Sequence, residues 1–130
     1  MTLRLVLALC AAATGTQAQE VNCAAPVTQL DMNFCADRAW KLADEDLNLA
    51  YGMARTLMRQ TDAALPAADR GAEIALRDAQ RAWIAFRDAA CKAEGYVWFG
   101  GSIRPLVVSS CLERMTRSRT EELRALAEPH

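Results

Sequence analysis

Apolar and small residues fall at Met32, Ala36, Ala39, Ala43, Leu47, Ala50, Ala54 and Leu57, stepping by three and four without a break. That step keeps them on one face of an α-helix. Thr28, followed three residues later by Asp31, has the form of a capping box, and Pro26 lies just ahead as a breaker, so the helix is expected to begin near Gln29. Its end is expected near Gln60, where Thr61-Asp62-Ala63-Ala64-Leu65-Pro66 carries turn chemistry and Pro66 disfavours helical geometry at Leu65.

A second series, Ala72, Leu76, Ala79, Trp83, Phe86 and Ala90, has the same spacing and predicts a helix from about Ala67 to Lys92, capped by Gly95. The stretch from Tyr96 to Pro105, rich in aromatics and glycine, reads as the one long loop. Ser110 with Glu113 forms an S-x-x-E pattern, which predicts a third helix starting at Cys111 and running to about Ala127, with Leu112, Met115, Leu123 and Leu126 on one face. No alternation of period two is long enough to predict a strand. The expected fold is all-α, a small bundle of three main helices that must pack on one another because helices of this length are marginal alone.

The first eighteen residues stand apart from this pattern. Arg4 precedes an apolar run from Leu5 to Ala13 that is too short to span a bilayer, and Ala18 offers a small residue at a cleavage point, so residues 1–18 read as a secretory signal and 19–130 as the domain. Leu9 is bulky where a lipoprotein signal wants a small residue before Cys10, which argues against lipidation. No later segment is apolar enough to be a transmembrane helix.

Export changes the meaning of the cysteines. Cys23, Cys35, Cys91 and Cys111 are an even set in a small exported domain, and none are close enough for the C-x₂₋₄-C pairs typical of zinc sites. Two disulfides are therefore expected, with no metal and no cofactor. Three connectivities are formally possible; the element layout favours Cys23 with Cys35 and Cys91 with Cys111, each pair local to one junction.

Composition excludes more than it selects. Apolar residues at 52% and charged residues at 24% are ordinary for a globular domain. Without the signal, fourteen basic residues face sixteen acidic ones, and a charge of −2 is no nucleic-acid signature. The one histidine, His130, is terminal and in no position to be held as a general base, so no catalytic residues are assigned and the chain is not expected to be an enzyme.

Three clusters remain as candidates for recognition or structure. Asp44, Glu45 and Asp46 are consecutive, which spreads them around a helix as a solvated face, yet they are also the densest acidic stretch that a protein partner could meet. Trp83 and Arg87 lie one helical turn apart, so the guanidinium is expected over the indole, with Asp88 pairing to a basic residue on the third helix. Tyr96, Trp98 and Phe99 either close the end of the core or present a recognition element, with a slight preference for the core. Gly100-Gly101-Ser102 is read as a tight turn rather than as an anion-binding nest.

The block Cys23…Thr28-Gln29-Leu30-Asp31-Met32-Asn33-Phe34-Cys35-Ala36, followed by Ala43-Asp44, Leu47-Asn48 and Tyr51, resembles the opening of the lysozyme inhibitor LprI-like N-terminal domain. Gln80-Arg81-Ala82-Trp83-Ile84, Phe86-Arg87-Asp88, Cys91, Gly100-Gly101-Ser102, Cys111, Thr116, Arg119 and Leu123 resemble its remainder. The resemblance implies a small, exported, mostly helical bacterial domain, in a family named for a member that inhibits lysozyme. It leaves two expectations of different class: a periplasmic or secreted inhibitor whose partner is a lysozyme, and an envelope structural or interaction module with another envelope protein as partner and no inhibitory activity.

Overall fold

The computed structural model of the chain describes residues 20–128, so the signal-like segment, Cys10, Gln19 and His130 lie outside the described residues. Among the described residues three helices account for the architecture: α1 at Gln29–Ala64, α2 at Ala72–Tyr96 and α3 at Arg104–Ala127, with one 3₁₀ turn at Ala67–Asp69. No strand occurs among the described residues. With 36 residues α1 is the long spine, about 54 Å at the α-helical rise. Helix α3 packs chiefly along it, and α2 closes the bundle against both.

The start of α1 is built as its sequence predicts. Thr28 Oγ1 accepts from the Asp31 backbone N–H at 3.1 Å, and the Asp31 carboxylate accepts from the Thr28 N–H at 3.0 Å. This reciprocal pair satisfies donors that a helix N-terminus leaves orphaned. The helix continues to Ala64, past the expected stop at Gln60, and Leu65 becomes extended only where the following Pro66 requires it.

The beginning of α2 differs from expectation. Residues Ala67–Asp69 close a 3₁₀ turn, and the α-helix starts at Ala72. The side chain of Asp62 takes the exposed N–H groups of Gly71, Ala72 and Glu73 at 2.8, 2.8 and 3.1 Å, so the last turn of α1 caps the first turn of α2. At the other end the helix runs through Gly95 to Tyr96, and Gly95 is not its cap. It is the point where α2 and α3 approach: a Cβ there would sit 2.5 Å from Val108 Cγ2.

Helix α3 begins at Arg104, seven residues ahead of the expected Cys111, with Pro105 in the first turn. Proline is suited to that position, having no N–H to leave unsatisfied. Ser110 is therefore an exposed helical residue and caps nothing, while Glu113 pairs with Arg117 one turn on. The expected long loop contracts to residues 97–103.

Two buried clusters form the core. Leu47, Ala50 and Ala54 of α1 meet Leu76 of α2 and Leu123 of α3, with Tyr51, Met58 and Trp83 packed around them. Cys91, Cys111 and Leu112 form the second, walled by Trp40, Val108 and Met115. The alanines of α1 let α3 come close along its length. Both disulfides have the local pairing, Cys23–Cys35 and Cys91–Cys111, each with Cα atoms 5.4 Å apart. The second lies inside the core and locks the end of α2 to α3.

The buried face of α2 is turned from the expected one. Its buried residues are Leu76, Gln80, Arg87, Cys91 and Gly95, whereas Ala79 and Phe86 are exposed. Two polar side chains thus occupy core positions, and Leu126 of α3, expected on the inner face, is also exposed.

Candidate protein-recognition site

Arg87 is the hub of the interior. Its side chain is 7% exposed, its Nη1 donates to Asp44 Oδ1 and to Thr116 Oγ1, both at 3.1 Å, and its Nε donates to Asp88 Oδ1 at 2.9 Å. The guanidinium carbon stands 5.2 Å from the Trp83 ring centre and 5.9 Å from that of Trp40. A buried cation survives only when paired and hydrogen-bonded, and this one has two carboxylates, a hydroxyl and two aromatic faces. Trp83 over Arg87 is as expected. The partner of Asp88 is not: it is Arg87, on the same helix. Arg119 of α3 instead donates to Gln80 at 3.1 Å and pairs with Glu122 at 2.7 Å, its guanidinium carbon 6.0 Å from the ring centre of Trp83.

The network also revises the acidic stretch. Asp44 is not simply solvated but joins α1 to α2 through Arg87, while Glu45 and Asp46 are exposed. Thr116 is fully buried, and its carbonyl accepts from Thr120 Oγ1 at 2.9 Å. Among the described residues Trp40 Nε1 is a buried donor with no hydrogen-bond partner.

The aromatic segment lies above this interior and does not close it. Tyr96 is 53% exposed, Trp98 48% and Phe99 72%, with Val97 between them at 79%, so the slight preference for a core role is overturned. The reason is the extension of α2 and the early start of α3, which leave only a tight turn to hold these residues. Successive turns link Phe99 N–H to the Tyr96 carbonyl at 3.1 Å, Gly101 N–H to that of Trp98 at 3.0 Å and Arg104 N–H to that of Gly101 at 3.2 Å. Gly100 has φ of +81°, a left-handed conformation that glycine adopts without strain. The Gly101 N–H is spent inside this turn, which agrees with a turn role for Gly100-Gly101-Ser102.

Rigidity comes from three further contacts. Asn33 of α1 donates to the Ser102 carbonyl at 3.0 Å. The rings of Tyr96 and Phe99 lie nearly parallel, 8° apart, with centres at 5.9 Å. Arg104 sets its guanidinium carbon 4.9 Å from the Tyr96 ring centre and 5.2 Å from that of Phe99. Below them the Cys91–Cys111 bridge fixes the two helices that carry the turn. The result is an exposed aromatic surface on which the Tyr96 and Phe99 rings are already held, which lowers the entropy lost on binding.

Fold and site define a disulfide-stapled three-helix domain with a preformed aromatic turn. The profile of the lysozyme inhibitor LprI family matches residues 10–123, and the chain belongs to that family. It is also 43% identical over 126 residues to an uncharacterized protein of Rhizobium meliloti (strain 1021), covering 95% of this chain and 91% of that one. No solved structure matches the chain. Among the described residues no group of His, Cys, Asp and Glu side chains is arranged to hold a metal ion, and no helix is long and apolar enough to cross a membrane.

Proposed function

We propose that this chain is an exported protein-binding domain that inhibits a lysozyme-type muramidase, with the turn Tyr96-Val97-Trp98-Phe99 as its principal contact. The observation that carries the reading is the exposure of three aromatic side chains on one hydrogen-bonded turn, two of them, Tyr96 and Phe99, stacked on each other. Large exposed apolar surface is costly unless a partner covers it, and aromatic anchors dominate the energetics of many interfaces. Membership of the lysozyme inhibitor LprI family supplies the partner class. Two formed disulfides and the signal-like leader support export to an oxidising periplasmic or extracellular setting. Glu45 and Asp46, exposed on α1, are a second contact suited to the cationic surface of a common animal lysozyme.

The test is a titration of one animal and one bacterial muramidase with oxidised protein from Gln19 onward. Saturable inhibition at near-stoichiometric concentration is expected, and a Trp98→Ala/Phe99→Ala variant of unchanged melting temperature should inhibit at least about tenfold less well. Folded protein that inhibits neither enzyme removes the proposal and leaves the envelope interaction module as the better reading.

A further inference from the structure

Beside the aromatic turn a groove of about 650 Å³ is lined by Trp40 of α1 and by side chains of α2 and α3. Its apolar wall is Trp40, Pro105, Val108 and Leu112, and its charged side chains fall into two kinds. Arg87 is shared, donating to Asp88 at 2.9 Å and to Asp44 at 3.1 Å, and the Asp88 carboxylate is half exposed. Lys92 and Arg104 form no salt bridge among the described residues, although their helices carry several elsewhere. The groove therefore has an apolar wall and a net positive rim, with the cations Arg87, Lys92 and Arg104 against the one lining carboxylate of Asp88.

Arg104 belongs to both features. Its guanidinium carbon lies over the rings of Tyr96 and Phe99, and the same side chain lines the groove. No salt bridge among the described residues involves this guanidinium, so its N–H groups remain open to a carboxylate. Groove and turn are thus one continuous surface.

We infer that this groove is a carboxylate-recognition site, which receives an acidic side chain flanked by apolar residues on a protein partner and holds it between Lys92 and Arg104. The inference rests on the reading that the neighbouring turn binds protein, and it adds the chemistry that the partner must present. An aliphatic or aromatic neighbour of the carboxylate would pack on Trp40 and Val108. A carboxamide in the same place would lose the charge-assisted hydrogen bonds and with them most of the selectivity.

The experiment uses ¹⁵N-labelled oxidised protein and two blocked tripeptides, Leu-Glu-Leu and Leu-Gln-Leu, followed by amide and indole chemical shifts. The acidic peptide should move the resonances of Trp40, Lys92, Arg104 and Val108, with an affinity that falls as salt is raised. The glutamine peptide should bind at least about tenfold more weakly, as should the acidic peptide to a Lys92→Gln/Arg104→Gln variant that keeps the native spectrum elsewhere. Equal shifts with both peptides, or none with either at millimolar concentration, overturn the inference whether or not the variant folds. Selective peptide binding by protein that inhibits no muramidase upholds the groove and removes only the proposed function. Inhibition accompanied by no peptide selectivity does the reverse.

Discussion

Arg87 of α2 reaches across the bundle to Asp44 of α1, Nη1 to Oδ1 at 3.1 Å, and its nearly complete burial makes this ion pair a tie between helices rather than a surface decoration. Removing the guanidinium leaves Thr116 Oγ1 unpaired in the core and empties the space between Trp40 and Trp83. Asp44 is 41% exposed and keeps part of its hydration, which limits the penalty of leaving it behind. Arg87→Met should therefore destabilise by about 2–4 kcal/mol, somewhat under the range for a wholly buried pair. Arg87→Lys should recover only part of this, since an ammonium cannot engage three partners in one plane. Asp88→Asn, at a half-exposed carboxylate, should cost no more than about 1 kcal/mol. Urea unfolding of the three variants checks the order.

Gly95 of α2 and Val108 of α3 mark the closest approach of their helices, since a methyl group added at Gly95 would lie only 2.5 Å from Val108 Cγ2. An alanine at that position would gain about 1 kcal/mol of helix propensity. It would also force a β-branched side chain with few rotamers to move, at about 1–3 kcal/mol. Gly95→Ala should thus be net destabilising. Combined with Val108→Ala the loss should be smaller than the sum of the single losses, because the new methyl fills the space vacated by valine. Thermal melts of the two single variants and the double one test this, and additive losses would show that the helices do not meet there.

What could be read from the chain, and what could not, divides along physical lines. The inner face of α1 is made of alanine and leucine, so hydrophobic period alone identifies Ala36, Ala43, Leu47, Ala50 and Ala54, all of which are buried. On α2 the same rule selects Ala79 and Phe86, one residue short of the buried Gln80 and Arg87. Polar core residues are invisible to a hydrophobicity count, since their burial depends on partners from other helices: Asp44, Thr116 and Arg119. Ser110 and Glu113 imitate a capping box, but a helix already begun at Arg104 has no orphan donors for Ser110 to cap. The aromatic turn follows from the same boundary. A loop of ten residues could have folded Trp98 and Phe99 onto the core, whereas a connection of seven between two disulfide-linked helices holds them outside.

The Cys91–Cys111 bridge closes a loop of 20 residues and is buried in the second core cluster, so replacing both cysteines by alanine should cost about 3 kcal/mol. Cys23–Cys35 closes 12 residues and ties only the short leader to the second turn of α1. Its removal should free residues 20–27 to proteolysis while lowering the melting temperature much less. Glu45→Gln, on the exposed face of α1, should leave the melting temperature unchanged. Equal melting temperatures for the Cys91/Cys111 and Glu45 variants would deny the bridge its structural part.

Acid stability should depend on Asp62. Its carboxylate accepts from the backbone N–H groups of Gly71, Glu73 and Ala72, and these bonds hold its pKa below the ordinary aspartate value, with nearby Arg70 acting in the same direction. A lowered pKa in the folded state means that the unfolded chain binds the proton more readily. The contribution of Asp62 is therefore complete above about pH 4, the ordinary aspartate value, and is lost as pH falls through the folded value. Asp31, held below its ordinary value by the Thr28 backbone and hydroxyl bonds, acts with the same sign at the start of α1. Asp62→Asn should destabilise the protein at pH 7 and flatten the acid limb of its stability curve, because the amide still accepts hydrogen bonds but no longer titrates. Asp31→Asn should do the same more weakly, having one backbone N–H at the cap where Asp62 has three. Denaturant midpoints between pH 2 and pH 7 test both substitutions, using about that range because it brackets an ordinary carboxylate. If the Asp62→Asn curve runs parallel to that of the parent across the acid limb, the carboxylate cap at the head of α2 is not what loses stability in acid.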